Sequence, residues 1–328
     1  MSEQAPKVAT PFIKWVGGKR QLQNVLLNVF NQSGWKRSGG TYFEPFLGGG
    51  AMLFALLSEP KYLNNTARVA DVNLSLLQVY RSFKTGALAF ESQLKTLETE
   101  FKAHADQGDA LEYFLARRDE FNVLKHRPGS RKTLTKPEKA RLSALFIFLN
   151  KAGFNGLYRE SQNGNFNVPF GKKQSVLLYD ESNFKAIKAV LKRTQVSSGS
   201  YIKLIKSPKD APIRGDLVYF DPPYEPLTPT SSFTNYSHSG FTIDDQRELA
   251  AQAIKLAKRG CKVVISNSSA AHLKPIYWAY AGFKIYEVQA TRLVSAKASS
   301  RLPVKEIIVT NFDVTTPGLK LVPRPRMQ

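Results

Sequence analysis

Short apolar runs alternate along this chain with longer stretches in which apolar residues recur at helical spacing. The apolar runs predict buried strands, and the amphipathic stretches predict helices. Strands are predicted at residues 41–45, 68–72, 217–220, 262–266, 283–290 and 305–311. One helix is predicted to begin near residue 51, and another to span residues 243–259. Such alternation is typical of an α/β fold with a central, mostly parallel sheet flanked by helices. We therefore predict this fold class.

A long segment between the second and third predicted strands interrupts the alternation. It begins with a helix at residues 74–83 and stays helical and charged from residue 86 to residue 141. Residues 140–149 are apolar on nearly all sides, which predicts a buried helix. The segment is therefore expected to form a helical insertion in the sheet domain.

Glycine and asparagine residues near the end of this segment predict a hairpin, with residues 157–159 pairing with 166–168 around Asn163 and Gly164. The last residues of the chain are basic and rich in proline, which predicts a loose tail. The predicted organisation is a main domain of residues 1–73 and 200–316, an inserted domain of residues 74–199, and a flexible basic tail of residues 317–328.

The net charge of the chain indicates which kinds of binding partner to expect. The 328 residues include 47 Lys and Arg against 26 Asp and Glu, a formal net charge of +21. Such an excess favours polyanions, because each phosphate contact releases counterions. A membrane surface is the competing partner, but neither end of the chain shows a basic amphipathic helix with a bulky apolar face. Nucleic acid is the partner that we expect.

The remaining composition excludes several classes of protein. A single cysteine, Cys261, rules out an internal disulfide and a cysteine-cluster metal site, and the 4 histidines lack ligand spacing. No metal is therefore expected. The longest apolar runs are too short to cross a bilayer, and the first residues lack the apolar core of a signal peptide. We expect a soluble, cytoplasmic protein, and a monomer.

The strongest chemical signal is Tyr219-Phe220-Asp221-Pro222-Pro223-Tyr224, which ends the third predicted strand. Asp221 then stands at the carboxyl edge of the sheet, where open α/β folds bind ligands. The prolines fix the backbone and remove donors, so the loop offers the Asp221 carboxylate and the Pro222 carbonyl as acceptors. With the Tyr224 ring beside them, these acceptors suit a planar group with an exocyclic amine, such as a nucleobase. The alternative is an ordinary strand-to-loop turn.

A second signal is the glycine turn Glu44-Pro45-Phe46-Leu47-Gly48-Gly49-Gly50-Ala51, between a predicted strand and a predicted helix. Glycines there let a ligand approach the backbone and the free N–H groups of the helix start. Asp71 ends the next strand about twenty residues later, the spacing at which an acid reaches ribose hydroxyls. The alternative for Asp71 is a helix N-cap. Since dinucleotide and phosphate-loop patterns are missing, we expect a nucleoside cofactor without a pyrophosphate.

In combination, these motifs resemble the Dam-type, D12-class DNA adenine-N6 methyltransferases that use S-adenosylmethionine. The resemblance covers most of the chain in the alpha-group order, with the cofactor motifs first, the recognition segment in the middle and the catalytic motif last. The run from Tyr219 to Gln246 is similar to the branch that methylates GATC. The blocks that carry the resemblance are residues 11–19, 43–50, 154–157 with 166–171, and 221–227.

The resemblance implies cofactor contacts. Trp15 and Lys19 are expected at the methionine end of S-adenosylmethionine, and Asp71 at its ribose. Many relatives place Asp-Phe near the cofactor's adenine, whereas this chain has Ser200 and Tyr201 at that point. The remaining residues expected to contact the cofactor are Phe43, Glu44, Pro45, Phe46, Gly48 and Asp221.

The resemblance also implies roles in catalysis and DNA reading. Asp221 and Pro222 would accept the two N–H groups of the target amine, and Tyr224 would stack on an adenine flipped out of the duplex. In the inserted domain, Arg159 and Lys14 are expected at guanines and Leu157 and Pro169 at thymine. Phe154 and Asn155 would fill the space that the adenine leaves. The alternative for the hairpin is packed structure with Phe154 in the core.

Two other functions stay open. One is an amino-methyltransferase with a different target, namely cytosine N4, a protein glutamine, or adenine with relaxed sequence specificity. Relatives that act on cytosine or glutamine usually carry Ser or Asn where this chain has Asp221. The other is a DNA-binding protein that keeps the fold without catalysis. An adenine-specific DNA methyltransferase acting at GATC is the function that the residues favour.

Overall fold

The computed structural model describes residues 8–15, 17–19, 21–35, 39–127, 133–224, 241–291 and 303–325. The chain divides into two compact units. The first unit comprises Met1–Gly18, Gly48–Ser58 and Asp71–Ser198, and the second comprises Lys19–Leu47, Glu59–Ala70 and Gly199–Gln328. The domain boundaries drawn from the sequence remain a prediction about functional domains.

The elements follow the predicted alternation of strands and helices. In chain order the strands are β1 (Thr41–Glu44), β2 (Thr66–Asp71), β3 (Thr194–Ser198), β4 (Leu217–Phe220), β5 (Lys262–Ser268), β6 (Lys284–Thr291), β7 (Pro303–Thr310) and β8 (Lys320–Leu321). The helices are α1 (Gln23–Gln32), α2 (Ala51–Leu57), α3 (Leu74–Thr85), α4 (Ala87–Gln107), α5 (Ala110–Lys125), α6 (Lys136–Ala152), α7 (Glu181–Lys192), α8 (Tyr201–Ile205), α9 (Ile243–Arg259) and α10 (Leu273–Trp278).

The second unit contains a sheet in the order β2-β1-β4-β5-β7-β6-β8. β1 pairs in parallel with β2 and β4, and β4 pairs in parallel with β5, whereas β7 is antiparallel to both β5 and β6. All four residues of β4 are fully buried, as expected for a central strand covered on both faces. The predicted fold class, a mostly parallel sheet flanked by helices, is confirmed.

Helices cover both faces of this sheet. On one face, Phe30 of α1 packs edge-on against Tyr219 of β4, with ring centroids 5.3 Å apart. On the other face, the apolar side of α9 joins Val218 and Phe220 in the core. α9 spans its predicted residues because Thr242 and Asp245 form a capping box at its start, and Gly260 ends it in the left-handed conformation.

In the first unit, α6 is the central helix and packs against α3, α4 and α5. Its residues from Leu142 to Asn150 are all buried, which agrees with the helix predicted there. Arg141 forms a bidentate ion pair with Glu120 of α5, and a third hydrogen bond to Gln93 of α4. This arginine therefore links three helices at the edge of the apolar core.

The predicted hairpin is present in reduced form. Two isolated bridges join its arms, between Glu160 and Phe166 and between Gly153 and Phe170. The turn is closed by the Gly164 N–H, which donates to the Ser161 carbonyl at 2.8 Å. The arms therefore pair at single points rather than along a ladder.

Part of the predicted tail is paired. Lys320 and Leu321 form β8, which lies antiparallel to β6, and the Val322 N–H donates to the Ile285 carbonyl at 2.8 Å. The prediction of a flexible tail over residues 317–328 is therefore wrong for these residues, because an unpaired edge of β6 offers them backbone partners. Among the described residues, no helix has both the length and the apolar character needed to cross a membrane.

Candidate active site

Asp221 lies immediately after β4, in a cluster of charged and aromatic side chains within the second unit. Its carboxylate is 2.9 Å from the Lys19 ammonium, which is also 3.7 Å from Glu306 of β7. The Tyr224 hydroxyl donates to the same Glu306 carboxylate at 2.6 Å. The Lys19 ammonium lies 4.4 Å from the centre of the Tyr224 ring, a cation–π distance. Two carboxylates therefore share one ammonium beside an aromatic ring.

Burial dominates the electrostatics of this cluster. The pKa of Asp221 is raised to about 6. Loss of solvent is the largest cause of this rise, the Lys19 ammonium opposes it, and the Glu306 charge adds to it. Burial and the same two carboxylates raise the pKa of Tyr224 well above its ordinary value. Asp221 is consequently ionised at neutral pH and can accept hydrogen bonds, while Tyr224 keeps its proton.

A chain of hydrogen-bonded polar side chains holds the proline loop that follows Asp221. The Gln246 side chain on α9 donates to the Pro223 carbonyl at 3.4 Å. Asn267 of β5 donates to Gln246 at 2.8 Å and to the Tyr277 hydroxyl at 3.0 Å, and these side chains are buried. The loop conformation is therefore fixed by buried polar partners as well as by its prolines.

The residues after β1 contribute aromatic surface to the second unit. Phe43 and Glu44 are buried, and Phe43 belongs to the sheet core. Beyond Pro45, Phe46 stacks on Tyr201, with ring centroids 5.2 Å apart, and meets Phe241 edge-on at 5.8 Å. The Tyr201 hydroxyl is buried and has no hydrogen-bond partner among the described residues. The adjacent Ser200 is exposed at the start of α8.

In the first unit, the glycine turn is held by Asp71. The Gly48 N–H donates to the Asp71 carboxylate at 2.9 Å, and the Asn73 N–H donates to its other oxygen at 2.8 Å. The N-cap of α3 is Asn73, whose side chain accepts from the Leu76 N–H, so the N-cap alternative for Asp71 is wrong. Burial raises the pKa of Asp71, and the backbone donors oppose that rise.

Position 48 requires glycine, because a larger residue does not fit between its neighbours. Its φ of 49° lies in the left-handed region, and a Cβ atom there would lie 2.8 Å from the Trp15 indole. Trp15 in turn stacks on Tyr158, with centroids 5.7 Å apart, and on Phe146. The resemblance implies that Trp15 contacts the cofactor. In the structure its indole packs on the glycine turn, and the cofactor contact stays a prediction.

The predicted DNA-reading residues of the first unit are mostly exposed and mutually connected. Lys14, Phe154, Asn155, Arg159 and Pro169 are exposed, and Leu157 is half-buried. Phe154 is 45% exposed, so the alternative that placed it in the core is wrong. The Phe154 N–H donates to the Pro169 carbonyl at 2.9 Å, which joins the two arms of the loop.

The loop at Phe154 has an unusual backbone. Asn155 and Gly156 have φ values of 53° and 67°, and a Cβ atom at Gly156 would lie 2.6 Å from Lys14. The Asn150 side chain, fully buried on α6, accepts from the Lys14 N–H and donates to the carbonyls of Lys14 and Gly156. One amide thus fixes two exposed segments that are far apart in sequence.

Comparison with known proteins identifies the family to which this chain belongs. The family model described as "D12 class N6 adenine-specific DNA methyltransferase" matches residues 15–294. The chain belongs to this family. The resemblance stated from the sequence motifs is therefore confirmed, and DNA is the substrate class of this methyltransferase.

Relatives cover nearly the whole methyltransferase. It is 35% identical over 92% of its length to the "Type II methyltransferase M.MjaIII" of Methanocaldococcus jannaschii, covering 99% of that protein. It is also 35% identical over 92% of its length to "Type II methyltransferase M1.LlaDCHI" of Lactococcus lactis subsp. cremoris, covering 95% of that protein. The "DNA adenine methylase" of Escherichia coli K12 is 28% identical over 90% of this chain and 93% of its own.

Several site residues of the methyltransferase escaped the sequence analysis. Asn150 and Glu306 were missed. Asn150 follows the apolar run of residues 144–149 and Glu306 precedes the apolar run of residues 307–309, and a polar residue beside such a run is a candidate for a buried hydrogen bond. The described residues contain no group of three or more His, Cys, Asp or Glu side chains that could hold a metal ion. Within the blocks that carry the resemblance, Val16 and residues 225–227 lie outside the described residues, as do residues 228–240 of the run from Tyr219 to Gln246.

Proposed function

We propose that this methyltransferase moves the methyl group of S-adenosylmethionine to N6 of an adenine flipped out of double-stranded DNA, at GATC. The observation that carries the proposal is the ionised Asp221 carboxylate at the end of β4, with the Pro222 carbonyl and Tyr224 beside it. These groups match the hydrogen-bond donors and the flat face of adenine. Membership of the D12 family supplies the reaction type.

The adenine amine is a weak nucleophile because its lone pair is delocalised into the ring. Asp221 and Pro222 accept its two N–H groups and favour a pyramidal nitrogen whose lone pair is available for attack. Positive charge develops on that nitrogen during transfer, and the Asp221 carboxylate stabilises it. Tyr224 stacks on the base and sets its orientation. The positively charged nitrogen then loses one proton, for which Asp221 is an acceptor.

The residues of each unit fit parts of S-adenosylmethionine, which supplies an electrophilic methyl group on a sulfonium when bound. In the second unit, Phe46 and Phe241 offer aromatic faces and the unpartnered Tyr201 hydroxyl offers a polar contact, as an adenine ring requires. In the first unit, Asp71 is assigned to the ribose hydroxyls and Gly48 to close backbone approach. Trp15, Lys19, Phe43, Glu44, Pro45 and Ser200 complete the proposed cofactor contacts.

The exposed loop of the first unit is proposed to read the DNA. Flipping a base costs a few kcal/mol, and the half-exposed Phe154 ring with Asn155 fills the space left in the stack. Arg159, held by Asn167 at 2.8 Å, is assigned to a guanine edge. Lys14 is assigned to the other guanine, and Leu157 and Pro169 contact thymine methyl groups.

A transfer assay tests the proposal. The purified protein is incubated with methyl-labelled S-adenosylmethionine and two duplexes that differ only in GATC or a scrambled site. Label on adenine N6 of the GATC duplex alone is the expected result. Label on both duplexes would remove the GATC assignment, and label on cytosine would change the target base. Tight DNA binding without any label would favour a non-catalytic binding protein.

A further inference from the structure

Glu306 is a carboxylate to which neither the motifs nor the proposed reaction assigns a role. It lies on β7, 85 residues after Asp221 in sequence (306 minus 221), and its side chain is only 15% exposed. A carboxylate in such a position is costly unless it is paired. Among the described residues its partners are the Tyr224 hydroxyl and the Lys19 ammonium, which both belong to the Asp221 cluster.

The charges of the cluster explain why a second carboxylate matters there. Lys19 is 2.9 Å from Asp221, so without Glu306 the pair would be close to neutral. Glu306 provides the ammonium with a second anion at 3.7 Å, so the carboxylates of Asp221 and Glu306 exceed the Lys19 ammonium by one negative charge among the described members of the cluster. That excess is needed where a nitrogen becomes positive during methyl transfer.

The contact with Tyr224 adds an orientation effect. The hydroxyl of Tyr224 donates to Glu306, while the face of its ring meets the Lys19 ammonium at 4.4 Å. A ring fixed at its hydroxyl end can turn about fewer axes than a free one. Glu306 therefore limits the directions in which Tyr224 can offer its face to a flipped base.

We propose that Glu306 is a positioning residue that orients Tyr224 and balances Lys19, so that the negative charge of Asp221 stays available to the target amine. The inference rests on the proposed function, because it assigns to Asp221 and Tyr224 the contacts described there. Asp221 is the group on which the effect is measured. The titratable side chains that face it are Lys19, Glu306, Tyr42, Tyr219 and Tyr224.

The test compares Glu306→Gln with Glu287→Gln. Glutamine keeps an acceptor for Tyr224 and removes only the charge. Glu287 is the matched control, because it is a half-buried glutamate on the neighbouring strand β6 whose partners are Lys274 and Lys305. For Glu306→Gln we expect kcat to fall roughly tenfold or more with smaller changes in KM. Glu287→Gln should retain the wild-type kcat.

The pH dependence separates positioning from a structural effect. The Glu306 charge raises the pKa of Asp221, so its removal should move the acid limb of kcat/KM to lower pH. Tyr224→Phe keeps that charge and should lower kcat without moving the limb. An unchanged acid limb in Glu306→Gln, at an unchanged Tm, would overturn the proposal, as would an unchanged kcat.

A titration keeps this inference distinct from the proposed function. Carbon-13 NMR of labelled aspartate follows the Asp221 carboxyl directly, with Asp221→Asn identifying its signal. A lower pKa of Asp221 in Glu306→Gln than in wild type supports the coupling whether or not methyl transfer occurs, and an equal pKa refutes it. A wild-type protein that methylates no DNA would instead refute the proposed function.

Discussion

The Asn150 side chain hydrogen-bonds the backbone of Lys14 at both its N–H and its carbonyl, each at 2.9 Å. A third bond, 2.7 Å to the Gly156 carbonyl, extends the contact to the loop that carries Phe154. The same fully buried amide makes all three bonds, accepting one and donating two. The positions of Lys14 and of the loop are therefore set by the interior of the protein, whereas their side chains lie outside.

Asn150→Ala should disturb stability and DNA binding together. Its loss leaves buried backbone groups without partners, at a cost of about 2 kcal/mol or more in the free energy of unfolding. Asn122 provides the comparison, because its amide bonds the N–H and the carbonyl of Phe166 in the same two-sided way. Urea unfolding and DNA titration of both variants are the measurements. Equal DNA affinity of Asn150→Ala and wild type would contradict the assignment of Lys14.

Gly48→Ala should destabilise the glycine turn. A Cβ atom there meets the Trp15 indole at 2.8 Å, and the φ of 49° is strained for alanine, so we expect a loss of roughly 1–3 kcal/mol. Gly108→Ala is the control, since Gly108 has a φ of 91° with no atom within 4 Å of its added Cβ. Thermal unfolding and calorimetric binding of S-adenosylmethionine report the two effects. A similar loss in both variants would show that the contact with Trp15 is unimportant.

Phe154→Ala should separate base flipping from stability. The ring is 45% exposed, so its removal is expected to change the free energy of unfolding by only about 0.5 kcal/mol. The fluorescence of 2-aminopurine at the target position, which rises when the base leaves the stack, should fall strongly. Leu88, 85% exposed on α4, supplies a control apolar residue outside the loop. Undiminished fluorescence with Phe154→Ala would remove this residue from the flipping step.

Arg159→Ala should relax the choice of base at one position of the site. A bidentate arginine–guanine contact is worth about 1–3 kcal/mol of discrimination. The guanidinium is exposed and donates to the side-chain oxygen and to the carbonyl of Asn167. Methylation of duplexes with single substitutions in GATC measures the effect. A uniform loss on every duplex would indicate a phosphate contact instead.

Asp221 should make activity and stability respond to pH in opposite directions. Burial raises its pKa from 3.8 to about 6. The rate should therefore fall as pH drops through about 6, because the carboxylate is protonated. Since the folded pKa lies above the unfolded one, ionisation opposes folding, and this unfavourable contribution develops between pH 4 and 6 and persists above. Asp221→Asn should abolish transfer and relieve that contribution at pH 8.

Local pattern was sufficient to predict the elements that position the site. β4 is a continuous apolar run that ends just before Asp221, and α9 is an amphipathic stretch, so both were located from sequence. Periodicity alone could not show that Glu306, on an antiparallel strand late in the chain, lies beside Lys19 and Tyr224. That proximity depends on the order β4-β5-β7, which sequence spacing does not fix.

The two readings of Asp71 illustrate a second limit. The spacing from the glycine turn favoured a ligand contact, whereas the helix that follows Asp71 allowed a helix cap. The structure assigns the cap to Asn73 because its side chain reaches the Leu76 N–H, while Asp71 binds the N–H of Gly48 across the turn. The bond from the Gly48 N–H to Asp71 joins residues far apart in sequence, so no local rule contains it, and the ligand contact of Asp71 stays a prediction.

The short strand β8 has a practical consequence for handling the protein. It pairs with Tyr286 and Glu287 on one side of β6, an eight-residue strand whose other side is paired with β7. A chain cut before Lys320 would present that uncovered row of backbone donors and acceptors to any other strand in solution. Shortened versions should form soluble aggregates during storage even if their activity is initially intact. The length of the C-terminal end is therefore a determinant of shelf life.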